Sequence, residues 1–164
     1  MLSQIAKKTL VEKIRARTET QLHALTNSQR VSQEGAVHEE TRAEDPKDTR
    51  ATEASYLARG LAERTEHLRA ELERLEAFVP TLSGPEEAVK LGALVRVAEE
   101  GAGDTIYFLL PAGGGESISA GGAIVRVLSP LSPVGQALMG RERGEEFTLV
   151  LPRGLTTFVI EELR

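Results

Sequence analysis

Hydrophobic residues recur at steps of three and four along the first 79 residues, a spacing typical of amphipathic helices. A first stripe precedes a polar segment, and a second stripe follows it. The first contains Ile5, Leu10, Ile14, Leu22 and Leu25, and the second contains Ala54, Leu57, Leu61, Thr65, Leu68, Leu72 and Leu75. Because neither stripe can be buried by one helix alone, the pattern predicts an antiparallel coiled-coil hairpin over residues 1–79.

Pro46 is the only proline before residue 80, and it marks the predicted start of the second helix. Asp45 suits the N-cap, Pro46 the first helical position and Asp48 the third. A helix from Pro46 to about Phe78 would be roughly 50 Å long. The hairpin tip then lies near residues 39–53, within a stretch from Glu34 that holds seven acidic and three basic residues. Helix capping and a shared Mg²⁺ ion are both possible reasons for this acidic cluster.

The second part of the chain has a different pattern, with 13 of the 15 glycines and six of the seven prolines from residue 80 onward. Five segments rich in Val, Ile, Leu, Thr and Phe are bounded by turn residues, which predicts roughly five strands. Ser132 as N-cap, Pro133 and the terminator Gly140 predict one short helix. We therefore expect an α+β protein in which an antiparallel sheet domain with one helix, residues 82–164, follows the hairpin.

Composition excludes several kinds of site. The chain has no cysteine, a net charge of −5 and no apolar run near 18 residues, so we expect a cytoplasmic protein without a membrane partner or thiolate metal site. The glycine-rich segment 111–122 lacks the phosphate-loop patterns and is expected to be a mobile hairpin loop. Solvent-exposed positions are expected for the three histidines and for a basic cluster of the first helix: His23, His38, His67, Lys7, Lys8, Lys13, Arg15 and Arg17.

The last 35 residues carry the most specific motif. Ser132-Pro133, Ala137-Leu138-Met139-Gly140-Arg141, Gly144-Glu145 and Pro152-Arg153-Gly154 follow one another in the chain. This order resembles the C-terminal run of the GreA/GreB family of bacterial transcript-cleavage factors. The preceding helical hairpin matches that family's layout, so the resemblance extends over the whole chain.

The resemblance implies a fold, a partner and an activity. The C-terminal domain would be FKBP-like and would dock on RNA polymerase through Leu131, Ser132 and Pro133. The hairpin would enter the secondary channel, and Asp45 and Asp48 at its tip would help to hold a Mg²⁺ ion shared with the polymerase. The polymerase would then hydrolyse the backtracked RNA near its 3′ end. The chain itself would be a monomer with no enzymatic activity and no cofactor of its own.

The tip departs from the family pattern, which leaves other functions open. The family motif is Asp-x-x-Glu-Asn followed closely by Tyr, whereas Tyr56 lies eight residues beyond Asp48. An alignment anchored on Tyr56 places Thr49 and Thr52 at the acidic positions, which fits a non-cleaving or inhibitory regulator of the same channel. At the docking segment, Leu131 replaces the Asp or Asn common in the family. A peptidyl-prolyl isomerase and a coiled-coil adaptor are the alternatives from other classes.

Overall fold

The computed structural model describes residues 2–40, 49–78, 87–152 and 154–164, with only the backbone of residues 35–40 and 49–51. The chain divides into two compact units. One is Ala16–Glu73, and the other combines Met1–Arg15 with Arg74–Arg164. The bases of both long helices are thus grouped with the sheet. The predicted domain boundary at residues 79–82 lies outside the described residues and stays a prediction.

Two long helices, α1 (Lys7–Glu40) and α2 (Thr49–Phe78), confirm the predicted helical part. Within the Ala16–Glu73 unit, the buried and half-buried side chains recur at the predicted three-and-four spacing. Those at this spacing are Thr18, Leu22, Leu25 and Gln29 on α1 and Ala58, Leu61, Thr65, Leu68 and Leu72 on α2, while Ala70 and Glu71 are half-buried beside them. Inclusion of Ala54 and Leu57 in the stripe was wrong, because both side chains are exposed, Leu57 by 60%. The half-buried residue one turn before Leu61 is Ala58, three positions back instead of four.

Helix α1 continues through the polar segment that follows its hydrophobic stripe. The Thr26 hydroxyl donates to the Leu22 carbonyl at 2.8 Å, and Arg30 pairs with Glu34 one turn later at 2.7 Å. An i,i+4 ion pair such as Arg30–Glu34 stabilises a helix by about 0.2–0.5 kcal/mol. Weak hydrophobic patterning here therefore did not mark the end of the helix. In the described residues, no helix is long and apolar enough to cross a membrane.

Six strands form one sheet. They are β1 (Leu94–Glu99), β2 (Gly103–Leu109), β3 (Ser117–Ala120), β4 (Ala123–Leu128), β5 (Glu146–Leu151) and β6 (Gly154–Leu163), and α3 (Pro133–Leu138) lies between β4 and β5. The order across the sheet is β3-β4-β2-β1-β6-β5. Four neighbouring pairs are antiparallel, as predicted, whereas β2 and β4 are parallel.

The sixth strand, β3, comes from the glycine-rich segment that was expected to be only a loop. Residues 117–120 pair with β4 as a hairpin that turns at Gly121 and Gly122, both with positive φ. β4 carries the buried Val125 and Val127, whereas β3 buries one large side chain, Ile118. An order with β4 next to β2 and the short, polar β3 at the edge therefore buries more apolar surface than the reverse order would. This order makes β4 parallel to β2.

The sheet has a hydrophobic cluster on each face. On one face, the inward residues of β1 to β4 pack against the bases of the long helices, including Leu10, Ile14 and Leu75. On the other face, β1, β2, β5 and β6 pack against α3 and the segment before β1, including Leu138 and Val89. The helical bases therefore cover the side of β1 to β4, and the first cluster contains no residue of β5 or β6.

Several predicted surface and core residues can be compared with this packing. Four basic residues of the first helix are exposed as expected, but Lys7 is 8% exposed. Lys7 lies three, four and seven positions before core residues of α1, so it shares their buried face. His23 and His67 are exposed, while the side chain of His38 is outside the described residues. The four aromatic side chains of the second part are all buried: Tyr107, Phe108, Phe147 and Phe158.

Candidate functional site

The two carboxylates predicted to act at the hairpin tip, Asp45 and Asp48, lie outside the described residues. Their roles therefore stay predictions. The first turns of α2 are described from Thr49 onward. Thr52 is exposed, and Tyr56, one turn further along the helix, is 72% exposed. Helix α2 thus begins with polar and aromatic side chains that are open to a partner.

The predicted docking residues Leu131, Ser132 and Pro133 lie in the turn between β4 and α3. The Leu131 side chain is 81% exposed, and Pro133 is exposed at the first position of α3. A leucine placed almost entirely in water stabilises nothing in the isolated chain, so its burial by a partner would be favourable. This turn therefore presents an apolar contact point at the surface.

Ser132 has a structural role in the same turn. Its hydroxyl donates to the Ser129 carbonyl at 2.7 Å and accepts from the Gly135 N–H at 3.1 Å. The second bond is the predicted N-cap of α3, and the first bond closes the turn. Because Ser132 is half-buried and its hydroxyl is used twice, it positions its neighbours and is a poor candidate for a direct partner contact.

Two further side chains hold Leu131 in place. The Leu131 N–H donates to the Ser129 hydroxyl at 3.2 Å, and the Gln136 amide donates to the Leu131 carbonyl at 3.0 Å. The backbone of Leu131 is therefore bonded on both sides, which limits its mobility while its side chain remains exposed. Neither Ser129 nor Gln136 was among the predicted docking residues.

Gly135 is the tightest point of the turn. A Cβ atom at this position would lie 2.1 Å from the Ser129 carbonyl oxygen and 3.0 Å from the Pro130 Cα. The first turn of α3 and the preceding turn therefore approach each other at a distance that only glycine permits. A glycine inside a capped helix is the signal that could have indicated this contact, because it costs about 1 kcal/mol relative to alanine.

Arg141 anchors the other end of α3. Its Nε donates to the Ala137 carbonyl at 2.6 Å, and its guanidinium lies 5.0 Å from the ring centre of Phe147. A cation favours the C-terminal end of a helix, and the face of an aromatic ring also attracts it. Gly140 adopts φ +79° just before it and confirms the predicted termination of the helix. The turn at residues 129–133, called the docking turn below because it holds the predicted docking residues, thus precedes a helix that is held at both ends.

A charged network lies on the sheet at β1 and β6. Arg96 contacts Asp104 at 2.6 Å and Glu162 at 3.4 Å, and Glu162 also accepts from the Leu2 N–H at 2.9 Å. The bond to Asp104 raises the pKa of Arg96 above its usual value. Desolvation raises the pKa of Glu162, but the bond from the Leu2 N–H, the N-terminal amino group and the bond from Arg96 together outweigh it, so this pKa is lowered. The network joins the start of the chain to the sheet.

Comparison with known proteins gives concordant matches. Residues 84–164 match the family model described as transcription elongation factor, GreA/GreB, C-term. The transcription elongation factor GreA of Desulfovibrio desulfuricans is 33% identical over 128 residues, which cover 76% of this chain and 74% of that protein. This relative therefore matches well beyond the C-terminal domain.

Two solved structures are similar to lower degrees. The crystal structure of Thermus aquaticus Gfh1 has a TM-score of 0.40 at 18% identity and covers 91% of this chain and 92% of that chain. A prokaryotic transcription elongation factor GreA/GreB from Nitrosomonas europaea has a TM-score of 0.36 at 22% identity, over 57% of this chain and 92% of that chain.

Proposed function

Because the chain belongs to the GreA/GreB family of transcription elongation factors, we propose that it binds RNA polymerase at the secondary channel. We further propose that it stimulates cleavage of backtracked nascent RNA by the active site of the polymerase. The observation that carries this proposal is the docking turn. It displays Leu131 at 81% exposure on a backbone that is bonded on both sides.

The docking turn would contribute affinity through burial of apolar surface. Leu131 and Pro133 are the contact residues, and Ser132 holds the turn that presents them. Full burial of one leucine is worth about 1.5–3 kcal/mol, or roughly tenfold to a hundredfold in affinity. A pre-ordered turn also loses little entropy on binding. Leucine in place of the acidic or amide residue common in the family suggests an apolar contact on this partner.

The tip carboxylates would provide the chemical contribution. Carboxylate oxygens are suitable ligands for Mg²⁺, which is often held by one or two protein carboxylates. Asp45, as N-cap, would use its oxygens for backbone N–H groups, whereas Asp48 could extend outward. We therefore assign Asp48 as the principal ligand and Asp45 as its support. A shared metal would activate the attacking water and stabilise the charge that develops on the RNA phosphate.

The direct test is a cleavage assay on a backtracked elongation complex. Purified protein is added to stalled complexes with Mg²⁺, and the shortening of labelled RNA is followed over time. We expect cleavage to be faster than the intrinsic rate of the polymerase. No acceleration, with binding to the polymerase intact, would contradict the cleavage function and leave the docking function standing.

Two variants separate the carboxylates. Asp48→Asn nearly preserves shape and removes the charge, so stimulation should be lost while polymerase binding is unchanged. Asp45→Ala should reduce cleavage only partially and should cost about 1 kcal/mol of helix stability through the lost N-cap. Full cleavage by the Asp48→Asn protein would refute the assignment of Asp48, and Glu44 would be tested next.

A non-cleaving or inhibitory regulator of the same channel is the second candidate. Thr52 and Tyr56 are one helical turn apart and both exposed, which is compatible with the alignment that puts threonines at the acidic positions. Under this function, the protein would lower initiation or elongation rates, and Asp45→Ala would keep that effect. The cleavage assay and a multi-round transcription assay together distinguish the two candidates.

The functions from other classes have less support. A prolyl isomerase needs an aromatic-lined pocket, and the aromatic side chains of the sheet domain are core residues, with Phe147 and Phe158 stacked at 5.2 Å between ring centres. We expect background rates in a prolyl-peptide isomerisation assay. A simple coiled-coil adaptor would fail to retain core RNA polymerase in a pull-down, whereas the proposed factor would retain it.

A further inference from the structure

The sheet face formed by β5, β6 and the end of β1 carries features that the docking turn does not explain. We name it the β5–β6 face. It lies on the side of the sheet opposite the cluster that contains α3. The hydrophobic cluster that packs against the bases of the long helices contains no residue of β5 or β6. Glu100, which follows β1 and donates its N–H to the Thr157 carbonyl, belongs to it with alternating residues of the strands: Ala98, Glu146, Thr148, Val150, Leu155, Thr157 and Val159.

An aliphatic pair lies at one end of this face. Val150 and Leu155 are direct cross-strand partners, and they are 82% and 76% exposed. Two large aliphatic side chains in direct opposition normally mark a buried position of a sheet. β5 is also one of the two edge strands of the sheet. The isolated chain therefore leaves two adjacent aliphatic side chains open to water.

A shallow depression with acidic residues lies at the other end. Its lining consists of Ala98, Glu99, Glu100, Glu146, Thr157 and Val159. Every charged side chain in this lining is a carboxylate, and the apolar Ala98 and Val159 lie between them. In the described residues, no group of carboxylates and histidines is arranged to hold a metal ion. The acidic lining thus favours an organic cation over a metal ion.

We propose that the β5–β6 face binds a cationic segment of a partner protein, in which lysine or arginine alternates with large apolar residues. The basic side chains would contact Glu100 and Glu146, and an apolar side chain would cover Val150 and Leu155. Charge complementarity selects this occupant. Nucleic acid would be repelled by the carboxylates, and a second copy of the chain would oppose like charges. This surface is separate from the docking turn, which adjoins the opposite face of the sheet.

The test uses the full chain labelled with ¹⁵N and short model peptides. One peptide combines lysine with leucine, a second lysine with serine, and a third glutamate with leucine. We expect the lysine–leucine peptide to shift amide signals of the β5–β6 face. It should bind about tenfold more tightly than the lysine–serine peptide, because only it buries the aliphatic pair. The glutamate–leucine peptide should not bind, and added salt should weaken the lysine–leucine complex.

Variants locate the contact. Val150→Ser with Leu155→Ser should weaken lysine–leucine binding about tenfold, and Glu100→Gln with Glu146→Gln should weaken it about threefold. Ile124→Ser is the matched control, since Ile124 is 66% exposed on β4, away from this face. The amide spectrum of each variant verifies folding. All substituted side chains are at the surface, so folding should persist.

Three results would overturn the proposal. Equal affinity for the lysine–leucine and lysine–serine peptides, with shifts spread over the whole acidic surface, would indicate unspecific ion attraction. Wild-type affinity in the folded double variants would place the binding site elsewhere. A sedimentation mass of a dimer that returns to the monomer mass in Leu155→Ser would make a second copy the occupant. None of these measurements depends on RNA polymerase, so their outcome is independent of the proposed function.

Discussion

Replacement of Gly135 by alanine has two opposing effects on stability: alanine has the higher helix propensity, but its Cβ would clash with a nearby turn. In an exposed helix, alanine in place of glycine is expected to stabilise by about 0.5–1 kcal/mol. At Gly135, however, the new Cβ would lie 2.1 Å from the Ser129 carbonyl oxygen. Real Cβ atoms do not approach a backbone atom this closely, so either the first turn of α3 or the preceding turn must move by about an ångström.

The cost of that movement exceeds the gain in helix propensity. Overpacking costs about 1–3 kcal/mol, and the movement also strains the two hydrogen bonds of the Ser132 hydroxyl, worth about 1 kcal/mol each. After the propensity gain is subtracted, we expect Gly135→Ala to destabilise the protein by about 1–3 kcal/mol. Polymerase binding should weaken as well, because the turn that presents Leu131 moves.

Gly60→Ala is the matched control. Gly60 lies inside α2, and nothing is within 4 Å of a Cβ added there. The same substitution should therefore stabilise by about 0.5–1 kcal/mol. Urea unfolding would be followed by far-ultraviolet circular dichroism for the helices and by tyrosine fluorescence, to which the buried Tyr107 of the sheet contributes. If Gly135→Ala raised the urea midpoint as Gly60→Ala does, the close contact would be refuted.

Three further predictions concern other residues. Arg164→Met should lower the free energy of unfolding by about 2 kcal/mol, because the Arg164 guanidinium donates to the Leu2 and Ile5 carbonyls at 2.8 Å each. Faster amide exchange near residues 2–5 would verify the loss of these bonds, and unchanged exchange would contradict it. The lowered pKa of Glu162 contributes stability above its unfolded pKa that is lost as pH falls through the folded pKa. Melting temperatures of Glu162→Gln should therefore change less than those of the wild type on acidification from about pH 5, and parallel curves would refute this role. Leu131→Ser should weaken polymerase binding at least about tenfold with an unchanged urea midpoint, and wild-type affinity would exclude Leu131 from the interface.

Features that depend on neighbouring residues could be predicted from the sequence. Ser132 and Pro133 start α3, and Gly140 follows its end, because capping involves groups within a few positions of each other. The helical stripe from Leu61 to Leu75 was predictable for the same reason, since a helix repeats its contacts every three to four residues. The family motif could be identified because it combines several such local signals in a fixed order.

Features that depend on contacts between distant parts of the chain were decided by the tertiary structure. β3 was missed because four residues of mixed polarity become a strand only when β4 pairs with them, and the parallel pairing of β2 with β4 depends on which strand buries more apolar surface. Lys7 is buried because the sheet packs against the face of α1 that Lys7 shares, and Gly135 is required by a carbonyl oxygen six residues earlier. The exposure of Val150 and Leu155 likewise reflects where helices cover the sheet. Hydrophobic pattern alone would place this pair in a core. The sequence of a strand shows which residues are apolar, but only the packing of other elements determines which face of the sheet is covered.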